Sequence, residues 1–442
     1  MEKIAFTLTD IVRGFKIPAL VGYVPGRGYV YRTTPSSVLY PVKMQPGQRL
    51  SSLLGVTSDI ERELNERLGR TDLRLFVQKS PAAIEVLKTK VEKIYLTKQT
   101  LDRIPPNTAV IGETYTITST NILGVDLSSP GTPHVLVSGM TGSGKSSVTK
   151  TLIGSLCYTS SPHELRLFAI DMKNRGLSFL RGIPHLEGDV STETETALDT
   201  VSMVAQLLQD RRTDGTSSPR IVLVIDELAE FVDGELARVL FSTLPTIARQ
   251  GRELGIHIVA TIHRPTVSAF GGDFLQSFGA KITGRLRNAR EASLILNVPD
   301  SGADRLPGSG SMLYSRASTG TARFQSYLAE SIEGLIAAKW GSLTPLPPTP
   351  SPLSAVLSSN STGPPTNPAV SASEKRERKT QSQTDLEALR PLIPDFVSFD
   401  EGKSTVRRGG WTRMAEALGT YPGGAVTKRI TDAIQAYRRE TE

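Results

Sequence analysis

The chain has 442 residues, enough for two or three domains of which one holds a large core. It carries 51 Lys and Arg against 44 Asp and Glu, a formal net charge of +7 that favours polyanionic partners. Its one cysteine, Cys157, excludes an intrachain disulfide framework and fits a reducing compartment. No run approaches the ~20 apolar residues of a membrane span, and Asp10 and Arg13 interrupt the stretch where a signal peptide needs an apolar block. These features predict a cytoplasmic protein with no membrane span.

Residues 1–120 are predicted to form a small N-terminal α/β domain. Two short strands flank a Pro/Gly turn at 22–31, and a helix is predicted over 50–68 from apolar residues at helical spacing. Residues 73–77 alternate like a half-buried strand. No catalytic constellation occurs in this region, which favours a folding or docking module.

The clearest motif follows an apolar strand at 135–137. Residues 139–146 are GMTGSGKS, the G-x-x-x-x-G-K-S pattern of a phosphate-binding loop. Glycines let the backbone curl around an anion, and the N–H groups then point inward at the start of the next helix. Lys145 can reach the β- and γ-phosphates of ATP, and the Ser146 hydroxyl can ligate Mg²⁺. The predicted ATP-binding residues are Gly139, Met140, Thr141, Gly142, Ser143, Gly144, Lys145, Ser146 and Ser147.

Residues 121–341 are predicted to form the nucleotide-binding core. Strand and helix patterns alternate there, which indicates an α/β fold with a mainly parallel sheet covered by helices on both faces. A strand at 165–170 ends at Asp171, where functional groups of such sheets collect. Asp171 and Lys173 are therefore candidates for a contact at the rim of the site, and a capping role for Asp171 is equally compatible.

Two carboxylates follow a strand that is predicted to be buried on both faces. Five consecutive β-forming residues at 221–225 precede Asp226 and Glu227. Two acids at one strand end need a nearby positive charge, which Mg²⁺ at the phosphate site supplies. We assign Asp226 to the metal shell and Glu227 to polarising the attacking water as general base. The alternative is a helix N-terminus, where Asp and Glu are favoured by the helix dipole.

The next predicted strand, 256–262, ends at His263, which is placed to sense the γ-phosphate. Just before this strand lies a basic helix end with Arg249 and Arg252. Arginine there can interact with the helix C-terminus, or it can reach the nucleotide of an adjacent subunit.

The composition changes near residue 342. Residues 342–382 are rich in Pro and Ser and are predicted to be a linker. Residues 383–442 regain apolar periodicity, with two predicted helices joined by a Gly-containing turn, a helix-turn-helix-like pattern. Lys428 and Arg429 would contact DNA phosphates in a DNA-binding module, and a plain helical docking module is the alternative.

Several segments together resemble the FtsK/SpoIIIE DNA translocases. They are GMTGSGKS at 139–146, IVLVIDELAEF at 221–231, GRELGIHIVATIHRP at 251–265 and GSGSMLY at 308–314. Shorter segments also match, and the resemblance covers roughly residues 40–330.

The resemblance implies a RecA-like ATPase that assembles as a ring, usually a hexamer, around double-stranded DNA, with ATP between subunits. It makes Arg252 the first candidate, and Arg249 the second, for an arginine that completes the site of a neighbour. Where the family usually has Gln, this chain has His263, and where the family often has a DNA-contacting lysine it has Ala289. The DNA contact is therefore assigned to the arginines around that position, Arg285, Arg287 and Arg290.

The resemblance also implies a C-terminal winged-helix module and a form without the membrane domain of the division-site members. The predicted function is thus an ATP-driven double-stranded DNA translocase that needs ATP and Mg²⁺. The alternatives are a viral DNA-packaging ATPase and a protein-secretion ATPase of the same motor class. The secretion proteins typically carry several motor domains in tandem, whereas this chain has one phosphate-loop motif.

Overall fold

The computed structural model describes most of the chain up to Gly341 and a few segments beyond it. The described residues are 1–228, 234–263, 272–316, 320–341, 389–390, 393, 397–400, 403–406, 434 and 437. The chain divides into two compact units, Met1–Ala355 and Val356–Glu442, and each is described by itself. The predicted linker and most of the two predicted C-terminal helices, with Lys428 and Arg429, lie outside the described residues.

The first part of the chain forms a five-stranded antiparallel sheet with helices against it. Its elements are α1 (Glu2–Gly14), β1 (Ala19–Val21), β2 (Tyr23–Val24), β3 (Gly28–Tyr29), β4 (Arg32–Thr33), β5 (Ser37–Met44), α2 (Leu50–Gly55), α3 (Thr57–Leu68), β6 (Leu75–Lys79) and β7 (Ala82–Leu87). The strand order is β1-β5-β7-β6, with β4 on β5, while β2 and β3 form a separate hairpin at the predicted Pro/Gly turn. Apolar side chains of α1 and α3, among them Leu8 and Leu64, pack with Tyr40 and Ile84 of the sheet in one core. This sheet and its helices lie within residues 1–120, the range for which a small N-terminal α/β domain is predicted.

The second part of this unit is built on a ten-stranded mixed sheet. Its elements are β8 (Ile94–Tyr95), α4 (Lys98–Leu101), β9 (Thr108–Tyr115), β10 (Thr120–Asp126), β11 (Val135–Ser138), α5 (Lys145–Thr159), β12 (Leu165–Ile170), α6 (Thr194–Asp214), β13 (Arg220–Ile225), α7 (Gly234–Gln250), β14 (Ile256–Ile262), α8 (Gly272–Gln276), β15 (Ala280–Thr283), α9 (Ala289–Leu296), β16 (Ser311–Arg316), β17 (Gly320–Leu328) and α10 (Ile332–Trp340). The order is β10-β9-β17-β16-β15-β11-β14-β13-β12, with β8 on β17.

Parallel strands make up one half of this sheet. Strands β15, β11, β14, β13 and β12 are adjacent and parallel, whereas β16, β17, β9 and β10 continue the sheet with antiparallel pairings. The prediction of a mainly parallel sheet therefore holds for the half that carries the phosphate loop. Two of the antiparallel pairs, β9–β10 and β16–β17, join consecutive strands through short connections, which cannot link parallel strands.

The predicted domain boundary near residue 120 falls between two paired strands. Strand β10 pairs with β9 in register from Thr120↔Tyr115 to Asp126↔Thr108, and β9 pairs in turn with β17. The two sheets are thus separated in sequence between β7 and β8, near residues 88–93, and not at 120. The sequence pattern of a strand does not show to which sheet it belongs, since that depends on pairing with a strand about 200 residues later.

Both faces of the parallel half are covered by helices. Along β13, Ile221, Leu223 and Ile225 pack on one face with α6 and α7, while Val222 and Val224 pack on the other with α5. This alternation explains the continuous apolar run of β13, because every position meets a buried layer. The prediction that this strand is buried on both faces is confirmed.

The second unit contains a short antiparallel hairpin of β18 (Val397–Asp400) and β19 (Lys403–Val406). Leu389, Ile393 and Ile434 are buried there. Across the described ranges of both units, no helix has the length and apolar character needed to cross a bilayer.

Candidate active site

The phosphate loop connects β11 to α5 as the motif predicts. Ser138 ends the strand and Lys145 begins the helix. Gly144 lies between them with φ +101°, and a Cβ there would stand 2.8 Å from the Gly310 nitrogen. A side chain at this position is therefore excluded both by the backbone conformation and by the contact.

A second segment, residues 308–310, supports the phosphate loop from below. The Ser309 N–H donates to the Gly142 carbonyl at 3.1 Å, and the Gly310 N–H donates to the Ser143 carbonyl at 2.9 Å. These two bonds fix the Gly142 and Ser143 carbonyls of the loop. The N–H groups of Met140 and Ser143 also bond within the protein, so the donors for an anion are the other N–H groups of the loop.

A cavity of about 780 Å³ opens above the loop. This is within the usual range for a small-molecule site, about 300–1,000 Å³. The residues that line it are Met140, Thr141, Gly142, Gly144, Lys145, Ser146, Ser147, Lys173, Arg175, Asp226, Glu227 and His263. Of the predicted ATP-binding residues, Gly139 and Ser143 are not in this lining; the Ser143 hydroxyl is buried beneath the loop without a hydrogen-bond partner.

Lys145 and Glu227 form an ion pair across the cavity. The Lys145 Nζ lies 2.6 Å from Glu227 Oε2, with both side chains largely buried. The other carboxylate oxygen, Oε1, accepts the His263 N–H at 2.7 Å. Glu227 has φ +54°, a left-handed conformation that is costly for a residue with a side chain and that occurs most often at functional sites. The two predicted catalytic residues are therefore in direct contact.

Thr261 connects the two carboxylate residues. Its hydroxyl donates to Asp226 Oδ1 at 2.7 Å and accepts the Glu227 N–H at 2.9 Å, so it fixes both the Asp226 side chain and the Glu227 backbone. Burial raises the pKa of Asp226, while the Thr261 hydrogen bond and the charge of Lys145 oppose that rise. The sequence analysis did not identify Thr261. Its signal is a hydroxyl in a strand, β14, whose seven residues are all buried.

Asp171 fixes the loop that follows β12, and among the described helices it is the N-cap of none, so the predicted capping role is not observed in that form. Its carboxylate is buried, and Oδ2 accepts the backbone N–H groups of Arg175, Gly176 and Leu177 at 2.8–2.9 Å. A Cβ on Gly176 would stand 2.4 Å from Asp226 Oδ2, so this loop packs directly on the metal-shell candidate. The folded loop places Lys173 and Arg175 at the cavity, and the sequence analysis did not identify Arg175.

Arg249 and Arg252 lie at the opposite edge of the sheet from the cavity. Arg249 is in the last turn of α7, and Arg252 is exposed in the turn before β14, with Nη2 3.5 Å from the Glu253 carboxylate. Strand β14 separates this turn from His263, and its seven residues span about 20 Å at 3.3 Å per residue. Neither arginine reaches the cavity of its own chain.

Arg285, Arg287 and Arg290 are exposed in the segment that follows β15. This segment lies beside the phosphate loop, because the Met140 N–H donates to the Arg285 carbonyl at 2.9 Å. Asn288 caps α9 by accepting the Glu291 N–H at 2.9 Å, which fixes the start of the helix between the arginines. The three side chains are thus presented to solvent at the same sheet edge as the cavity.

The cavity residues fit ATP and Mg²⁺. The N–H side of the phosphate loop and Lys145 supply donors and positive charge for phosphates, and Ser146 and Asp226 supply the hydroxyl and carboxylate oxygens that Mg²⁺ prefers. Across the parts of the chain that the structure describes, no three His, Cys, Asp or Glu residues are grouped to hold a metal by themselves. Most ligands of a magnesium ion here would accordingly be phosphate and water oxygens.

Comparisons with known proteins agree with this geometry. Residues 91–214 match the model of the FtsK/SpoIIIE family. The DNA translocase FtsK of Bradyrhizobium diazoefficiens is 26% identical over 344 residues, covering 65% of this chain and 40% of that protein. The DNA translocase FtsK of Caldanaerobacter subterraneus is 28% identical over 311 residues, covering 64% of this chain and 42% of that protein.

Among solved structures, the pCW3 conjugation coupling protein TcpA with ATPγS shares the fold. It is 17% identical, with a TM-score of 0.50, and the match covers 76% of this chain and 99% of that one. The present chain spans about two fifths of the length of the two translocases above. The family match includes β11, the phosphate loop, α5 and β12 of the site, and the translocase matches extend over about two thirds of the chain. Residues 91–214 are thus similar to the FtsK/SpoIIIE family, and the chain has an α/β fold with a phosphate-binding loop that it shares with TcpA.

Proposed function

We propose that this chain is an ATP-driven motor that moves double-stranded DNA through a ring of identical subunits, usually six, in the cytoplasm. The observation that carries the proposal is the Lys145–Glu227 pair across the cavity. It supports the proposal because an ammonium group suited to bind phosphate and a carboxylate suited to act as general base lie in one cavity. The similarity to proteins named DNA translocases supports duplex DNA as the substrate to be moved.

ATP binding changes the partner of Lys145. In the structure Nζ is paired with Glu227, and the triphosphate brings stronger negative charge to the same ammonium group. We infer that Lys145 then turns to the β- and γ-phosphates and releases Oε2 of Glu227. The base is thus freed only when the substrate has arrived.

Hydrolysis itself then needs one proton acceptor. Glu227, still oriented through Oε1 by the His263 N–H, accepts a proton from a water whose oxygen attacks the γ-phosphorus. The bond from that phosphorus to the bridging oxygen breaks, and ADP and phosphate leave. Thr261 keeps Asp226 and Glu227 in position during this step. A magnesium ion held by Ser146 and Asp226 would supply charge neutralisation at the phosphates.

The position of the arginines supports action between subunits. Arg252 lies about 20 Å from the cavity of its own chain, along β14, and is exposed. An arginine at that edge can contact only a nucleotide that is bound to a neighbouring subunit. We propose that Arg252, with Arg249 as second candidate, stabilises charge on the phosphoryl group of the neighbour. Arg285, Arg287 and Arg290, and Lys428 and Arg429 of the C-terminal module, are proposed to contact DNA phosphates.

The test measures ATP hydrolysis with no nucleic acid, duplex DNA, single-stranded DNA or RNA at the same salt concentration. We expect duplex DNA alone to stimulate the rate strongly. Replacing Arg285, Arg287 and Arg290 together by Ala should reduce this stimulation and leave the basal rate unchanged. ATP hydrolysis that responds to none of the nucleic acids would contradict DNA translocation and favour the secretion-type alternative.

A further inference from the structure

A second cavity lies at the amino end of β15, on the opposite edge from the phosphate loop. Its volume is about 380 Å³, and it shares no lining residue with the ATP cavity. Lys281 is only 8% exposed and lines the cavity, and Ser315 is its partner in register on β16. Arg316, the next residue, also lines the cavity. We call this the amino-edge cavity.

Among the residues that the structure describes, the amino-edge cavity carries positive charge without a counter-charge. None of the described residues that line it is acidic, and the Lys281 side chain has no hydrogen-bond or ion-pair partner within the described chain. The Arg316 Nε–H is buried and likewise lacks an acceptor. Burial lowers the pKa of Lys281. A buried cation without a counter-charge costs free energy, and an anionic ligand in the cavity would supply the missing charge.

The remaining walls indicate what kind of anion fits. Gln276 and Asn297 add amide groups at the cavity, and Phe278 and Leu296 form an apolar side. A guanidinium group and an ammonium group together match about two negative charges, which a phosphate monoester carries near pH 7. A carboxylate or a phosphodiester carries one and would leave a cation unpaired. The apolar side has room for the organic part of the ligand.

We propose that the amino-edge cavity binds the phosphate group of a small phosphate monoester, with Lys281 and Arg316 as its charged contacts. The site is distinct from the ATP site, so it adds a second ligand to the protein. It does not depend on the proposed translocation activity.

Isothermal titration calorimetry tests the proposal on the full chain saturated with ATPγS, so that the phosphate loop is occupied. The probes are glucose 6-phosphate and inorganic phosphate as dianions, with acetate, dimethyl phosphate and a short DNA duplex as comparators. We expect both dianions to bind at one site per chain, and the comparators to bind that site at least about tenfold more weakly. Acetate or duplex DNA binding there as tightly as glucose 6-phosphate would overturn the proposal. The same titration on Lys145→Ala without ATPγS is a second way to weaken binding of the probes at the phosphate loop, and it does not depend on nucleotide binding.

Variants connect the binding to the named residues. Lys281→Met keeps the length of the side chain and removes a buried charge, so it should fold at least as stably as the wild type. We expect it to bind glucose 6-phosphate at least about tenfold more weakly, and Arg316→Gln to show a loss of similar size. Lys90→Met, at an exposed lysine of the N-terminal domain, is the matched control and should bind as the wild type does. Equal affinity in Lys281→Met and wild type would show that the cavity is not the site.

Discussion

Lys145 and Glu227 contact each other but are predicted to act at different stages. Lys145→Ala removes the fixed charge for the β- and γ-phosphates, so we expect ATP affinity to fall about 10- to 100-fold, as for the loss of a hydrogen bond to a charged group. Glu227→Gln retains the side-chain shape and should bind ATP normally, but hydrolysis should slow by about 10²–10⁴-fold without the base. Equilibrium binding of a fluorescent ATP analogue and steady-state hydrolysis separate the two effects.

Lys150→Ala is the matched control for Lys145→Ala. Lys150 is one turn and a half further along α5 and pairs with Glu333 at 2.5 Å, outside the cavity. Lys150→Ala should therefore leave ATP binding unchanged. Normal turnover by Glu227→Gln would remove the assignment of Glu227 as the base.

Thr261 is predicted to position the two acids without touching the substrate. Thr261→Val keeps the shape of the side chain but leaves Asp226 Oδ1 and the Glu227 N–H without their partner. We expect kcat to fall by about tenfold or more, with little change in KM for ATP, and Thr261→Ser to restore most of the rate. The control is Thr200→Val, at another buried threonine, whose hydroxyl bonds to Ser191 and which does not line the cavity. A parallel loss in both Val variants would indicate general destabilisation rather than positioning.

The sequence predicts the site residues that belong to a local motif. Lys145, Ser146, Asp226 and Glu227 could be assigned because each follows a strand in a recognisable order, and the structure brings them to one cavity. Thr261 could not, because its role arises from the lateral pairing of β14 with β13, which spacing along the chain does not encode. The role of Asp171 in fixing the loop after β12 likewise depends on how that loop folds, which the sequence pattern does not show.

At the scale of elements, β17 connects the N-terminal domain to the segment that supports the phosphate loop. Arg323 on this strand pairs with Glu85 of β7, and both side chains are almost fully buried. The same guanidinium group donates to the hydroxyls of Ser37 at 2.8 Å and Ser311 at 2.9 Å. Ser311 directly follows residues 308–310, whose N–H groups hold the phosphate loop. The ion pair thus joins two sheets close to the ATP site.

Removing one member of this pair should be much more harmful than removing both. Arg323→Met leaves the Glu85 carboxylate buried without its partner, and we expect a loss of about 3–5 kcal/mol of unfolding free energy. The double variant Glu85→Gln with Arg323→Met should recover a substantial part of it, because no buried charge is left unpaired. Urea unfolding of the wild type, both single variants and the double variant measures the coupling.

An exposed ion pair gives the control for this cycle. Lys98 and Asp102 are one helical turn apart at the surface, so Lys98→Met should shift the urea midpoint little. Additive effects of the Glu85 and Arg323 variants would mean that the pair does not act as a unit. The link between the two sheets was not visible in the sequence, since its members are 238 residues apart.

For the molecule as a whole, the two edges of the parallel strands carry different features. The carboxyl edge holds the ATP cavity and the exposed arginines after β15, whereas the amino edge holds Arg249, Arg252 and the amino-edge cavity. The sequence predicts this division, because a parallel sheet places all strand ends of one kind at one edge. It does not predict the antiparallel half, which places β9 and β10 in the sheet and moves the boundary with the N-terminal domain.

The proposed ring arrangement predicts that two inactive variants can complement each other. Arg252→Ala cannot complete the site of its neighbour, but its own Lys145–Glu227 site is intact. Glu227→Gln has the opposite defect, because its site is inactive and its Arg252 is intact. In rings mixed randomly from equal amounts, about a quarter of the interfaces combine an intact site with an intact arginine donor, since head-to-tail interfaces use different surfaces of the two subunits. We expect ATP hydrolysis to return in the mixture to a level of that order, measured with duplex DNA after subunit exchange.

If Arg252 is the arginine that completes the ATP site of the neighbouring subunit, Arg252→Ala alone should hydrolyse ATP about 10³–10⁵-fold more slowly. Arg249→Ala, one turn away at the same edge, is the matched variant, and it should retain most of the rate if Arg252 is the residue used. A mixture of Glu227→Gln with Lys145→Ala is the negative control. Both variants keep Arg252, but every ATP site in the mixed rings is defective, so no ATP hydrolysis should return. If Arg252→Ala hydrolyses ATP at the full duplex-stimulated rate, Arg252 does not complete the neighbour's site, and Arg249 becomes the candidate at this edge. The length of β14 keeps both residues away from the cavity of their own chain.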